Sequence, residues 1–198
     1  MSATKPNKLA APAEIPTVLQ RCDLPPEALA LTQGQPDLLG IIQALTGAEF
    51  LVEASRVFAH ALPKREAVWW ACMCAGHSAA GLVTPEDTKM REQAEVWVRQ
   101  QSDEIRRAGM EDAKRAGFKS PEAWAAVAAF WSGGSVTPLN APPVPAPPHL
   151  PGVAVAGAVA LASVRGAPNR QKQRLALFLQ SAHDIAIGGQ GRLQMEAE

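Results

Sequence analysis

Residues 138–151 read PLNAPPVPAPPHLP, with proline at seven of fourteen positions. Proline fixes φ and has no backbone N–H, so this stretch excludes a helix interior and a central strand; polyproline II is the conformation left to it. Regular structure must therefore form on either side. After it, thirteen small or apolar residues (152–164, GVAVAGAVALASV) precede Arg165. That run is too short to cross a bilayer as a helix. It reads as a buried, closely packed helix. Pro168 opens a last helix, whose inner stripe is Leu175, Phe178, Leu179, Ala182, Ile185 and Ala186. Both helices must fold back onto the body, because their apolar faces cannot stay in water.

The body before the proline segment also reads as helix. Alanine fills 37 of 198 positions, and alanine has the highest helix propensity. Start signals recur. Pro36-Asp37 precedes LLGIIQALT, and Pro63 precedes KREAVWWACMCAGHSAA. Thr84-Pro85-Glu86-Asp87, Ser102-Asp103-Glu104 and Ser120-Pro121-Glu122 each combine a capping side chain with acids in the first turn. Apolar residues repeat at spacings of three and four, as in Phe50, Leu51, Ala54, Val57, Phe58 and Ala61. These patterns predict an all-α fold: an irregular bundle or short solenoid-like stack of seven to nine helices, with a proline-rich connector (138–151) before the last two. The domain is expected over 17–187, between flexible tails at 1–16 and 188–198.

Lysine plus arginine and aspartate plus glutamate number 19 each. That balance argues against a nucleic-acid binder, which needs a basic surface. No run of 18 apolar residues is present, so membrane insertion is not expected. The N-terminus has no apolar segment of signal-peptide length, which predicts a cytoplasmic protein. Cys22, Cys72 and Cys74 form no framework and fit a reducing compartment. Cys74 and His77 share a helix face, but a zinc site needs further ligands. No metal or cofactor is expected.

Four features stand out as candidate sites. Gly76-His77-Ser78-Ala79-Ala80-Gly81 resembles a nucleophile elbow, which would make Ser78 the nucleophile of a small hydrolase, although His183 and Asp184, the partners on offer, stand on a predicted helix in the wrong chain order. The bland alternative is a helix end with Ser78 in the turn. Adjacent Trp69 and Trp70 cannot face the same way on a helix, so one enters the core and the other lies under a neighbour or forms a contact. Arg165, Arg170, Lys172 and Arg174 form the only purely basic cluster. The mixed run 99–119 reads as a solvated helix face with pairs such as Asp103/Arg107 and Glu111/Arg115. Pro142/Pro145, Pro145/Pro148 and Pro148/Pro151 have the P-x-x-P spacing that docks on aromatic grooves. Alternatively the segment is a stiff connector packed on the protein's own tryptophans.

LPKREAVWWACMCA (62–75), WAAVAAFWSGGSVTP (124–138), the prolines up to Pro151 and VAGAVALASVRG (155–166) resemble a bacterial Ala/Trp-rich helical domain family of unknown function, found near type VI secretion genes. The resemblance covers roughly residues 45–187. It carries no catalytic residues. It implies an adaptor or co-chaperone that helps load an effector onto the secretion spike. The expected reading is therefore a non-enzymatic protein-binding accessory protein, with contacts at Trp69, Trp70, Trp131, Pro142, Pro143, Pro145, Arg165, Arg170 and Arg174. Its partners would be effector, spike or chaperone components. The other readings are the Ser78 hydrolase and a homo-oligomer, specifically a dimer joined through the helix at 153–164.

Overall fold

A computed structural model describes residues 7–197; the first six residues of the expected N-terminal tail and Glu198 of the expected C-terminal one lie outside the described residues. After a 3-10 turn at Pro12–Glu14, ten α-helices follow among the described residues. They begin with α1 (Ile15–Cys22), α2 (Pro26–Leu31), α3 (Leu38–Gly47) and α4 (Leu51–Ala61). Next come α5 (Lys64–His77), α6 (Pro85–Gln100), α7 (Asp103–Arg115) and α8 (Pro121–Ser132). Beyond the proline segment lie α9 (Leu150–Val164) and α10 (Gln171–Ala186), the latter entered through a 3-10 turn at Pro168–Arg170. No strand occurs among the described residues, which hold one isolated bridge between Ser135 and Pro145.

The start signals cap as their chemistry requires. Asp37 accepts from the Gly40 amide at 2.8 Å, and Ser120 from the Ala123 amide at 3.2 Å. Thr84 and Asp87 exchange side-chain and backbone bonds in a capping box, which satisfies two otherwise unpaired donors at once.

The small-residue helix α9 is the hub. It packs on α8, α5, α4 and α10. Its alanines let neighbouring axes approach closely: Ala154, Ala158 and Ala162 are fully buried. A Cβ on Gly157 would touch the Trp124 ring at 3.6 Å, and one on Gly152 would overlap the His60 ring. Around this hub sit the large core side chains Trp70, Phe58 and Phe178. The dimer reading assigned the small-residue faces of 153–164 to a second copy. The chain's own helices cover Ala154, Ala158 and Ala162, while Val153 and Ala160 are exposed and Ala156 and Gly157 half-buried.

The all-α bundle is as expected, but the described residues form ten α-helices rather than seven to nine because α1 and α2 also fold onto the body. Val18 and Cys22 of α1 and Ala28 of α2 are buried. The tails differ as well. Lys8 donates its amide to Ala186 O at 2.8 Å, and Ala10 to Ala61 O at 2.9 Å. The described part of the N-terminal segment is thus tied to the bundle. Residues 188–197 form an extended strap across α5 and α10 rather than a frayed end.

Candidate functional site

The proline-rich segment is a closed loop, not a spacer. α8 and α9, the helices it joins, pack directly on one another, so the seventeen residues from Gly133 to His149 span no distance. α8 stops at Ser132 and the chain turns at Gly134, whose φ is +60°. A Cβ at Gly134 would overlap the Arg106 guanidinium, so glycine is required there both for backbone conformation and for space.

Two consecutive arginines of α7 hold the loop's base. Arg106 is buried. It donates to Phe130 O at 3.0 Å and to Ser135 O at 2.8 Å, and its guanidinium lies 5.0 Å from the centre of the Phe130 ring. Arg107 donates to Thr137 O at 2.8 Å and to Ser135 O at 3.1 Å. Asp103 pairs with both cations. Hydrogen bonds from Arg107, joined by Arg106 and opposed by burial, hold the Asp103 carboxyl below its usual range. A planar guanidinium with five donors suits this task, because one side chain satisfies several carbonyls that no helix or sheet can reach.

Beyond the base the loop holds itself. Val136 N–H donates to Val144 O at 2.8 Å. The Ser135 hydroxyl accepts from the Val144 amide at 2.9 Å, and the Thr137 hydroxyl donates to Pro142 O at 2.8 Å. These bonds fix the apex with its apolar side chains in water. Leu139 is 83% exposed and Val144 48%, and Pro142, Pro143 and Pro145 are all exposed. Trp131, half-buried, sits in the last turn of α8 just before the loop. A cleft of about 650 Å³ opens at the base, lined by Pro63, Lys64, Trp97, Gln101, Arg106 and Gly133 among others.

Several expected contact residues lie elsewhere. Trp70 is in the core, with its indole N–H on Phe178 O at 2.9 Å, so it cannot meet a partner. Trp69 sits at the edge as the alternative, and its indole N–H is already used by Gln190 O at 2.7 Å. The basic cluster is not a free patch. Arg165 forks onto the fully buried carboxylate of Glu122. Arg174 is buried and donates to Glu196, Ser163 O and Arg165 O. Arg170 also meets Glu196, and Lys172 pairs with Glu49 at 2.6 Å. A buried arginine needs acceptors from its own chain, and the two carboxylates lie 43 residues from Arg165 and 22 from Arg174.

The elbow geometry is not built at Ser78. That residue is buried, follows α5 rather than a strand, and offers its hydroxyl to Cys74 O and Ala75 O. Cys22, Cys72 and Cys74 are free and buried; burial pushes the Cys22 thiol up to about 12 and raises the other two as well. No group of three or more His, Cys, Asp or Glu side chains able to hold a metal occurs among the described residues. No single helix there is long and apolar enough to cross a membrane.

Arg106 was hidden in the charged run. The inner face of α7 is Arg106, Gly109 and Ala113, while the equally small Ala108 is exposed, so small residues alone did not single out position 106. Within the same run Asp103 pairs with Arg107 as expected, but Arg115 bonds Asp112, and Glu111 bonds Lys114.

The model of DUF6931, a family of unknown function, matches residues 41–186, close to the span of the sequence resemblance. No curated protein and no solved structure matches the chain.

Proposed function

The chain belongs to the family of unknown function DUF6931, and from that premise we propose that it is a non-enzymatic, cytoplasmic accessory protein that binds other proteins through its proline-rich loop. The observation that supports this reading is the loop's construction. Two arginines and two hydroxyls order a segment whose apex buries nothing of its own, leaving Leu139 83% exposed. Ordering a loop costs conformational entropy. A segment ordered before binding loses less on docking, which favours affinity per contact. The apex offers an aliphatic side chain flanked by prolines, the chemistry that aromatic-lined grooves accept. Trp131 and the cleft beside Trp97 would add a second, shallower contact.

The partner class comes from the sequence resemblance: a type VI secretion effector, spike or chaperone component. The adaptor would present such a component through complementary shape and a small apolar centre, without turnover.

The test is co-expression of the full chain with the effector, spike and chaperone proteins encoded beside its gene, followed by affinity capture in moderate salt. Retention of one of them, reduced at least tenfold by Leu139→Asp, is the expected result. Equal retention by the variant, or no retention by either protein, overturns the loop as a docking element. Labelling of Ser78 by a fluorophosphonate probe overturns the non-enzymatic reading.

A further inference from the structure

The strap at 188–197 crosses the furrow between α5 and α10 and is held mainly through its backbone. The Trp69 indole donates to Gln190 O at 2.7 Å. The Asp184 carboxylate accepts from the Gly191 amide at 2.8 Å, and the Ser181 hydroxyl donates to Gly191 O at 2.5 Å. His77 Nδ1 meets Gln194 O at 2.5 Å, and His77 O accepts from the Glu196 amide at 2.8 Å. A carbonyl only accepts, so Nδ1 carries a proton; Nε2 is buried with no partner. Backbone groups are common to every peptide, so these grips read an extended chain rather than this particular sequence.

The strap's own side chains confirm the division. Gln190, Arg192 and Gln194 are exposed, and Met195 is 66% exposed. Three positions carry identity. Gly191 has φ +59°, and a Cβ there would run into the Ile185 side chain and lie 2.8 Å from Ser181 O. Leu193 packs against the core. The Glu196 carboxylate receives Nε and Nη2 of buried Arg174 at 3.1 and 2.6 Å, and Arg170 reaches it at 3.4 Å. A guanidinium so placed is a carboxylate receptor. The strap also leaves room: a cleft of about 320 Å³ opens at its Gly189–Gln190 end, bordered by Arg65, Trp69, Val98 and Ile185.

We propose that the furrow between α5 and α10 is a peptide-binding groove, which the strap fills in cis and which accepts from a partner an extended acidic segment with a glycine, an apolar residue two positions later and a carboxylate three positions after that. The strap is then a built-in competitor. A partner gains access by matching the same backbone bonds and the same Arg174 anchor, and every polar group that the departing strap uncovers regains its bond. This site lies apart from the proline loop and does not depend on that loop binding anything.

The experiment uses the full chain and a fluorescein-labelled peptide with the sequence of residues 187–197, followed by fluorescence anisotropy. Glu196→Gln loosens the cis strap without touching the receptor side chains. The peptide should bind that variant at least tenfold more tightly than it binds the wild-type chain. A second peptide, with its glutamate replaced by glutamine, should bind the same variant at least tenfold more weakly than the first; the protein is unchanged in that comparison, so folding plays no part in it. No binding to Glu196→Gln, or binding that ignores the peptide's glutamate, overturns the proposal. A concentration-dependent dimer of the variant that takes up no peptide also overturns it, because the groove would then serve to exchange straps between copies.

Discussion

The proline loop and the strap are both irregular, and both are ordered by helix side chains that bond to main-chain atoms. They differ in where the grip falls. The loop is held at its base, where Arg106 and Arg107 take the carbonyls of Ser135 and Thr137. Past that point it is stapled only to itself, and its apolar apex faces water. The strap is gripped along its length, from Gln190 through Gly191 and Gln194 to Glu196. Its apolar Leu193 faces the core. A segment anchored at one end displays what lies beyond the anchor; a segment anchored throughout covers what lies beneath it. Neither behaviour follows from the segment's own propensity. The donors that decide it belong to α5, α7 and α10.

Removing the loop's anchor should produce the largest effect. Arg106→Ala leaves Phe130 O without its donor and Ser135 O with Arg107 alone, and opens space beside the Phe130 ring. A loss of about 3 kcal/mol is expected in denaturant unfolding. Arg107→Ala, which removes bonds at a half-buried side chain, should cost about 1 kcal/mol and loosen the loop alone. Equal effects from the two would mean that the base has no single anchor, and the contrast with the strap would blur.

The sequence made some of this legible. The caps at Asp37, Thr84, Ser102 and Ser120 are local chemistry, written within four residues. The stripes of α4 and α10 follow from helical spacing, and the Trp69/Trp70 pair could be split into one inner and one edge residue on geometry alone. Charge pairing across long separations was not legible. Arg165 finds Glu122 and Arg174 finds Glu196 only after the chain has folded, so a cluster that looked free is spent internally. Gly188-Gly189-Gln190-Gly191 read as a frayed end because glycine lowers every propensity. Here Gly191 is what lets the chain turn tightly against Ile185 and Ser181.

Gly191→Ala tests that last point and should weaken the strap by about 2 kcal/mol, the order of cost of a strained backbone with a local clash. Hydrogen exchange should show the change at the Gly191 and Glu196 amides and leave the Val136 amide of the loop untouched. Faster exchange in both regions would show that loop and strap are one cooperative unit rather than two.

Acid should separate the regions as well. Hydrogen bonds from Arg174 come first among the causes that hold the Glu196 carboxyl below its usual range, with Arg170 and His77 adding to them. The carboxylate's contribution is therefore complete above the unfolded glutamate pKa of about 4.3 and is lost as pH falls through the lower folded value. His60 acts over a higher window. Burial, then Arg21 and His149, lowers its pKa to about 4. The unfolded chain takes up a proton below about 6.5 that the fold resists, so stability declines as pH falls from there. The loss at pH 5 is about 1 kcal/mol after allowing for partial exposure. His60 is common to wild type and Glu196→Gln. The difference in tryptophan fluorescence between them should hold steady through the His60 window and vanish only when Glu196 is protonated. A difference that fades near pH 6 would tie the strap to the histidine instead.

The smallest effect on stability is expected at the loop's apex. Leu139 buries almost nothing, so Leu139→Asp should shift the unfolding free energy by less than about 0.5 kcal/mol, while Leu193→Asp in the strap drives a charge against the core and should cost about 2 kcal/mol or more. The two substitutions are chemically identical and differ only in which side of an irregular segment faces the protein. A fully stable Leu139→Asp chain that no longer captures its partner would assign the apex to recognition. A clearly destabilised one, measured by thermal unfolding, would place Leu139 against the body and return the loop to the same class as the strap.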